Sequence, residues 1–170
     1  MKRNNYRTSN RKFAYLMTVV IVIVNFITII IPLFFLYTFP TSKLTFIFFT
    51  YPNNLISIFG VLFFIYFAIT GIFYFTFKAD RYIIEVRSKR IILGYLLNKV
   101  DYIDIPVGSI VRFTFFNRPL TFNTTLMVKV KVSSRRTVSK RFQISFLSKK
   151  KIAKITESLE EIVRNNNLDE

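Results

Sequence analysis

The residues best equipped for chemistry in this chain are cations. Arg87, Lys89 and Arg90 crowd into "EVRSKR", Arg135, Arg136, Lys140 and Arg141 into "SSRRTVSKRF", and Lys149, Lys150 and Lys151 into "SKKKIAK". Runs of guanidinium and ammonium groups bind anions: phosphate or carboxylate oxygens accept their hydrogen bonds, and an anionic lipid surface attracts them at roughly 1 kcal/mol per residue. The three lysines open an expected helix and oppose its macrodipole, at a cost of about 0.3–1 kcal/mol each when exposed. Anionic headgroups would offset that cost. The same clusters equally suit a generally basic face that orients and solubilises a domain without any defined ligand.

Bond-making chemistry has little to work with. There is no Cys and no His, which excludes disulfides, thiolate nucleophiles, zinc–thiolate sites and imidazole acid–base catalysis. Asp101 and Asp104 lie three apart on an expected strand, so they face opposite ways and cannot work as a carboxylate pair. Glu157, Glu160 and Glu161 read as solvated helix charges, and Gly60, Gly71, Gly94 and Gly108 form no phosphate-cradling loop. The reading is non-enzymatic, with no catalytic, cofactor-binding or metal-ligating residue.

The elements that carry the cations come in two halves. Across 170 residues of net charge +16, hydrophobic residues make up 52%, and the two kinds of residue are segregated. A basic segment over 1–12 holds Lys2, Arg3, Arg7, Arg11 and Lys12, whereas residues 13–77 hold a single charge, Lys43. Two uncharged runs, 13–38 and 55–77, each have the roughly 20 apolar residues that cross a bilayer, and in lipid they must be helices because unpaired backbone groups are costly there. A transmembrane hairpin is expected, its spans joined by an outer loop over 39–54 in which "LTFIFF" lies along the interface. The first run is too long for a secretory signal core. Basic residues flank both outer ends of the hairpin, so both termini are expected in the cytoplasm and the protein in the cytoplasmic membrane as a multi-pass chain.

Within the spans, Ser57, Gly60, Phe64, Ala68 and Gly71 share one helix face, where small side chains allow close approach of another helix; such residues are also simply common in spans. Asn25 is a candidate donor across a helix pair, and Pro32 a candidate kink. No ionisable residue sits at depth, which argues for anchoring rather than transport.

After Lys78 the apolar period becomes two. "RYIIEVR", "IILGYLL", "VDYIDI", "SIVRFTFF", "LMVKVKV" and "RFQISF" read as six antiparallel strands, with "SKR" and "SSRRTVS" as turns and Gly94 as a bulge. Ser148 is an N-cap, and Ile152, Ile155, Leu159 and Ile162 form the apolar stripe of a closing helix in which Glu160 and Glu161 are placed to pair with Arg164. The fold class is thus a two-helix membrane hairpin followed by an α+β cytoplasmic domain over 78–166, an antiparallel sandwich or partly open barrel, with a tail over 167–170.

This order resembles the bacterial pleckstrin-homology-like domain proteins. The resemblance rests on Tyr82, Gly94, the Ile105-Pro106 turn leading to "SIVRF", Ile110 and the helix over 148–165. It covers residues 79–165 and implies seven strands, no catalytic residues, and a membrane-surface scaffold or binding module. The expected role is a scaffold or accessory subunit, with regulation through anionic headgroups as the alternative. Expected partners are membrane lipids and a membrane protein or a second copy of the chain. Nucleic acid is not among them, since no base-stacking motif accompanies the juxtamembrane cations.

Overall fold

Residues 6–50, 54–91, 100–133 and 136–168 are described by a computed structural model. They divide into two units, one of Tyr15–Gly71 and one of Met1–Ala14 with Ile72–Glu170.

In the helical unit, α1 (Arg11–Asn25) widens into one π-helical stretch over Phe26–Ile30 and continues as α2 (Ile31–Thr38). Pro32 lacks an N–H and cannot join a regular ladder, so the loosened turn directly before it is where the helix absorbs the mismatch. Thr28 Oγ1 donates to the Val24 carbonyl at 2.7 Å within that stretch. Asn25 does not donate across a helix pair as expected. Its Nδ2 donates at 2.7 Å to the Ile21 carbonyl of its own helix, the nearest acceptor in apolar surroundings.

Beyond Thr38, α3 (Lys43–Phe49) is capped by Ser42, whose Oγ accepts the Thr45 N–H at 3.1 Å. Thr45 is buried and donates to the Phe39 carbonyl at 2.6 Å, which folds α3 back on the end of α2. The last helix, α4 (Asn54–Thr70), stops at Gly71, whose φ of 73° is left-handed and whose N–H closes on the Phe67 carbonyl at 2.9 Å. The expected second span over 55–77 is therefore cut short. Among the described residues, Arg11–Thr38 is one helix of 28 residues long and apolar enough to cross a membrane. Helices α3 and α4 meet the same criterion only together, as a pair bent by 60°.

The second unit is a sandwich. Its first sheet has the order β1 (Tyr6–Ser9), β2 (Phe73–Ala79), β3 (Ile83–Arg90), β4 (Val100–Pro106), and its second the order β5 (Ile110–Asn117), β6 (Asn123–Ser133), β7 (Arg136–Ser145). Every neighbouring pair is antiparallel. Helix α5 (Lys149–Leu168) closes the sandwich, with Ile155, Leu159 and Ile162 buried in a core shared with Phe75, Phe77, Val86, Leu126 and Phe142. Ser148 caps α5 as expected, its Oγ accepting the Lys151 N–H at 3.4 Å. At the other end, Asn166 Nδ2 donates to the carbonyls of Val107 and Ile110 at 2.8 and 2.9 Å, fixing the helix to the 3-10 turn over Val107–Ser109 between the sheets.

Two strands have no counterpart among the expected ones. The four residues of β1 belong to the basic N-terminal segment, and β2 occupies the end of the second apolar run. Buried Asn10 holds them in place. Its Oδ1 accepts the Phe75 N–H at 2.7 Å, and its Nδ2 donates to the Phe73 and Ser145 carbonyls at 2.9 and 2.6 Å, joining β1, β2 and β7. "SKR" is not a turn but the end of β3, because Ser88 points inward and donates to the Gln143 carbonyl at 2.7 Å. Arg136 to Ser139 likewise lie in β7 rather than in a turn. The expected strand "IILGYLL", with its Gly94 bulge, falls outside the described residues except for Ile91. Among the described residues the ion pairs are Lys78–Asp80 and Arg87–Glu85, so the expected pairing of Arg164 with Glu160 or Glu161 does not form. All three of those side chains keep contact with water, which solvates them separately at little cost.

Candidate functional site

The core of the sandwich turns polar toward one groove. The row of β3 side chains that faces the core runs Ile84, Val86, Ser88, Arg90, and that of β4 runs Ile105, Ile103, Asp101. On β7 the corresponding row runs Ile144, Phe142, Lys140. Register puts Phe73 opposite Arg90 and Ser88 opposite Asp101, so these row ends lie together. Strand β7 passes across the first sheet here. Its Ser145 Oγ accepts the Phe73 N–H at 2.8 Å, and two residues earlier the Gln143 carbonyl accepts from Ser88. Arg118 reaches the same place from the β5–β6 connection, and Arg141 from the edge of β7. The resulting groove has a volume of about 720 Å³ and, among the described residues, is lined by four cations, Arg90, Arg118, Lys140 and Arg141, against one acid, Asp101.

Chain folding thus sorts the ten expected cations. It unites Arg90, Lys140 and Arg141, and adds Arg118, which lies outside every sequence cluster. Arg87 is turned away on the outer face of β3. There it pairs with Glu85 at 3.6 Å and lies over the Tyr102 ring at 4.9 Å, so it is engaged within the protein. Lys89 and Arg136 are exposed and do not line the groove, and Arg135 lies outside the described residues. Lys149 and Lys150 are exposed at the start of α5. Lys151 is structural: its Nζ donates to the Ser9 carbonyl at 2.8 Å and ties α5 to β1. That oxygen supplies the compensation that an ammonium group at a helix N-terminus requires.

Two groups on the outer face and edge of the first sheet have perturbed titration. Tyr102 donates its hydroxyl to Asp104 Oδ2, and this bond holds the phenol above its usual 10.0. Lys78 hydrogen-bonds Asp80 at 2.7 Å and is held above its usual 10.5 by that bond and by the charge of Asp80.

The small-residue face of α4 separates in the same way. A Cβ on Gly60 would stand 2.1 Å from Thr28 Oγ1, so glycine is what lets α4 meet the π stretch at this point. Ser57 and Thr28 both border an apolar cavity of about 340 Å³ between the helices. Ala68 is half-buried. Gly71 is buried, and its left-handed backbone ends the helix. Set against family models, curated proteins and solved structures, the chain matches none.

Proposed function

We propose that the chain is a non-enzymatic, membrane-anchored protein whose helical unit is a two-crossing hairpin and whose sandwich is a pleckstrin-homology-like domain at the cytoplasmic surface of the cell membrane. Its role is that of a scaffold or accessory subunit in a membrane complex. One observation carries the reading. The chain leaves the sandwich after β1 and re-enters it at β2, and these two strands are paired neighbours, Ser9 opposite Thr76. A segment inserted between adjacent strands of one sheet must start and finish on the same side of a bilayer, so it crosses an even number of times. The long helix supports crossing, because only 11% of its most apolar stretch is buried, unlike the core helix of a soluble protein. Sheets of four and three strands closed by one C-terminal helix support the pleckstrin-homology-like reading.

The test uses the absence of native cysteine. Single Lys43→Cys and Lys150→Cys variants are exposed to a membrane-impermeant maleimide in intact and permeabilised cells. The expected result is labelling of Lys43→Cys from outside and of Lys150→Cys only after permeabilisation. Identical labelling of both positions overturns the hairpin. Purification in mild detergent then tests the scaffold role, which predicts a stoichiometric membrane-protein partner.

A further inference from the structure

We propose that the groove bounded by β3, β4 and β7 is a binding site for a phosphate ester that also carries free hydroxyl groups. Four features lead there. The cations converge from separate places in the sequence: Arg90 ends β3, Lys140 and Arg141 lie in β7, and Arg118 in the β5–β6 connection. Among the described residues Arg118, Lys140 and Arg141 make no ion pair, so the fold gathers like charges without neutralising them, and a phosphate group would do so through paired N–H···O bonds from the guanidinium forks. Phe73 and Phe142 at its inner end give the groove an apolar wall, and its volume of about 720 Å³ is that of a site for a small molecule rather than for a polymer.

Asp101 decides the rest. A carboxylate beside a phosphate site repels a second phosphate, but it accepts hydrogen bonds from hydroxyl groups. The favoured ligand therefore has one phosphate and neighbouring hydroxyls. That chemistry occurs both in a lipid headgroup and in a soluble polyol phosphate. The proposal rests on the membrane-surface reading only for the lipid source.

The test uses the full chain in detergent micelles and isothermal titration with glycerol 3-phosphate, inorganic phosphate, dihexanoyl phosphatidylglycerol and dihexanoyl phosphatidylcholine. At least one of the two hydroxylated anions should bind, and phosphatidylcholine should not. An Arg118→Ala/Arg141→Ala variant should lose at least about tenfold in affinity, the scale of one charge-assisted hydrogen bond. A Lys149→Ala/Lys150→Ala variant, equal in lost charge but outside the groove, should lose less than about twofold. Asp101→Asn should weaken the hydroxylated ligand relative to inorganic phosphate. Binding of phosphatidylglycerol alone assigns the site to a headgroup, and binding of glycerol 3-phosphate alone to a soluble ester. Equal losses in the two double variants, or no binding of either hydroxylated probe, overturns the proposal. Maleimide labelling is read on the same variants, so a failed groove with an intact labelling pattern is distinct from a failed membrane topology.

Discussion

The helical unit and the sandwich are built from the same apolar residue types turned in opposite directions. In the sandwich Phe75, Phe77 and Phe142 are almost entirely shielded, whereas in the helical unit Ile56, Phe59 and Val22 are 57, 63 and 62% exposed. One unit hides its apolar surface from water by folding over it, and the other displays it. Composition alone therefore says how much apolar surface a segment carries, and only its spacing says which way that surface faces. In the sandwich the two-residue alternation leaves a wet face for charge; in the helices apolar residues run all round.

The sharpest way to break this contrast is to truncate one residue from each unit. Phe75→Ala should destabilise the full chain by about 3–5 kcal/mol in chemical unfolding, whereas Ile56→Ala in detergent should change it by less than about 1 kcal/mol. A large loss from Ile56 would show that α4 is packed on that face. Next in size, Asn10→Ala strands the buried Phe75 N–H and Ser145 carbonyl. A loss of about 2–4 kcal/mol is expected, with accelerated amide exchange in β1 as the local readout. Gly60→Val should force α4 off the π stretch at a cost of about 1–3 kcal/mol, partly recovered by adding Thr28→Gly; absence of recovery would deny the contact. Removing the helix cap with Ser148→Ala should cost about 0.5–1 kcal/mol.

The smallest effect is a pH dependence. Both Lys78 and Tyr102 are held in their protonated forms by a neighbouring carboxylate, so their folded values lie above 10.5 and 10.0. Their stabilisation is complete below the unfolded values and is lost as pH rises through the folded ones. A Tyr102→Phe variant should therefore unfold with a shallower decline above about pH 10 than the parent, and match its slope below about pH 9.

Much of the sandwich is legible in the residues. Leu126, Val128 and Val130 alternate with Met127 and Lys129 in a strand of even period, and the Ile155, Leu159, Ile162 stripe and its Ser148 cap give α5. The strand "FYFTFKA" escapes because an apolar run has no period that separates a buried strand from the end of a span; the punctuation is Gly71. Strand β1 escapes because "YRTS" carries no core pattern of its own and is held by Asn10, whose partners lie 63 to 135 residues away. The groove was half legible. Extending the core-facing rows past their last apolar member reaches Arg90, Asp101 and Lys140, but Arg118 arrives by chain crossing, which no local pattern encodes.

The span of 135 residues between Asn10 and its Ser145 acceptor also has a consequence in time. A ribosome adding roughly 5–20 residues per second needs on the order of 10 s to make the acceptor after the donor has emerged. In the later part of that interval, once β2 has been made, β1 lacks its second anchor while the helices between β1 and β2 are already complete. Closure of the sandwich around Asn10 is thus a late event in biogenesis, and the finished domain certifies that everything inserted between its first two strands has been accommodated.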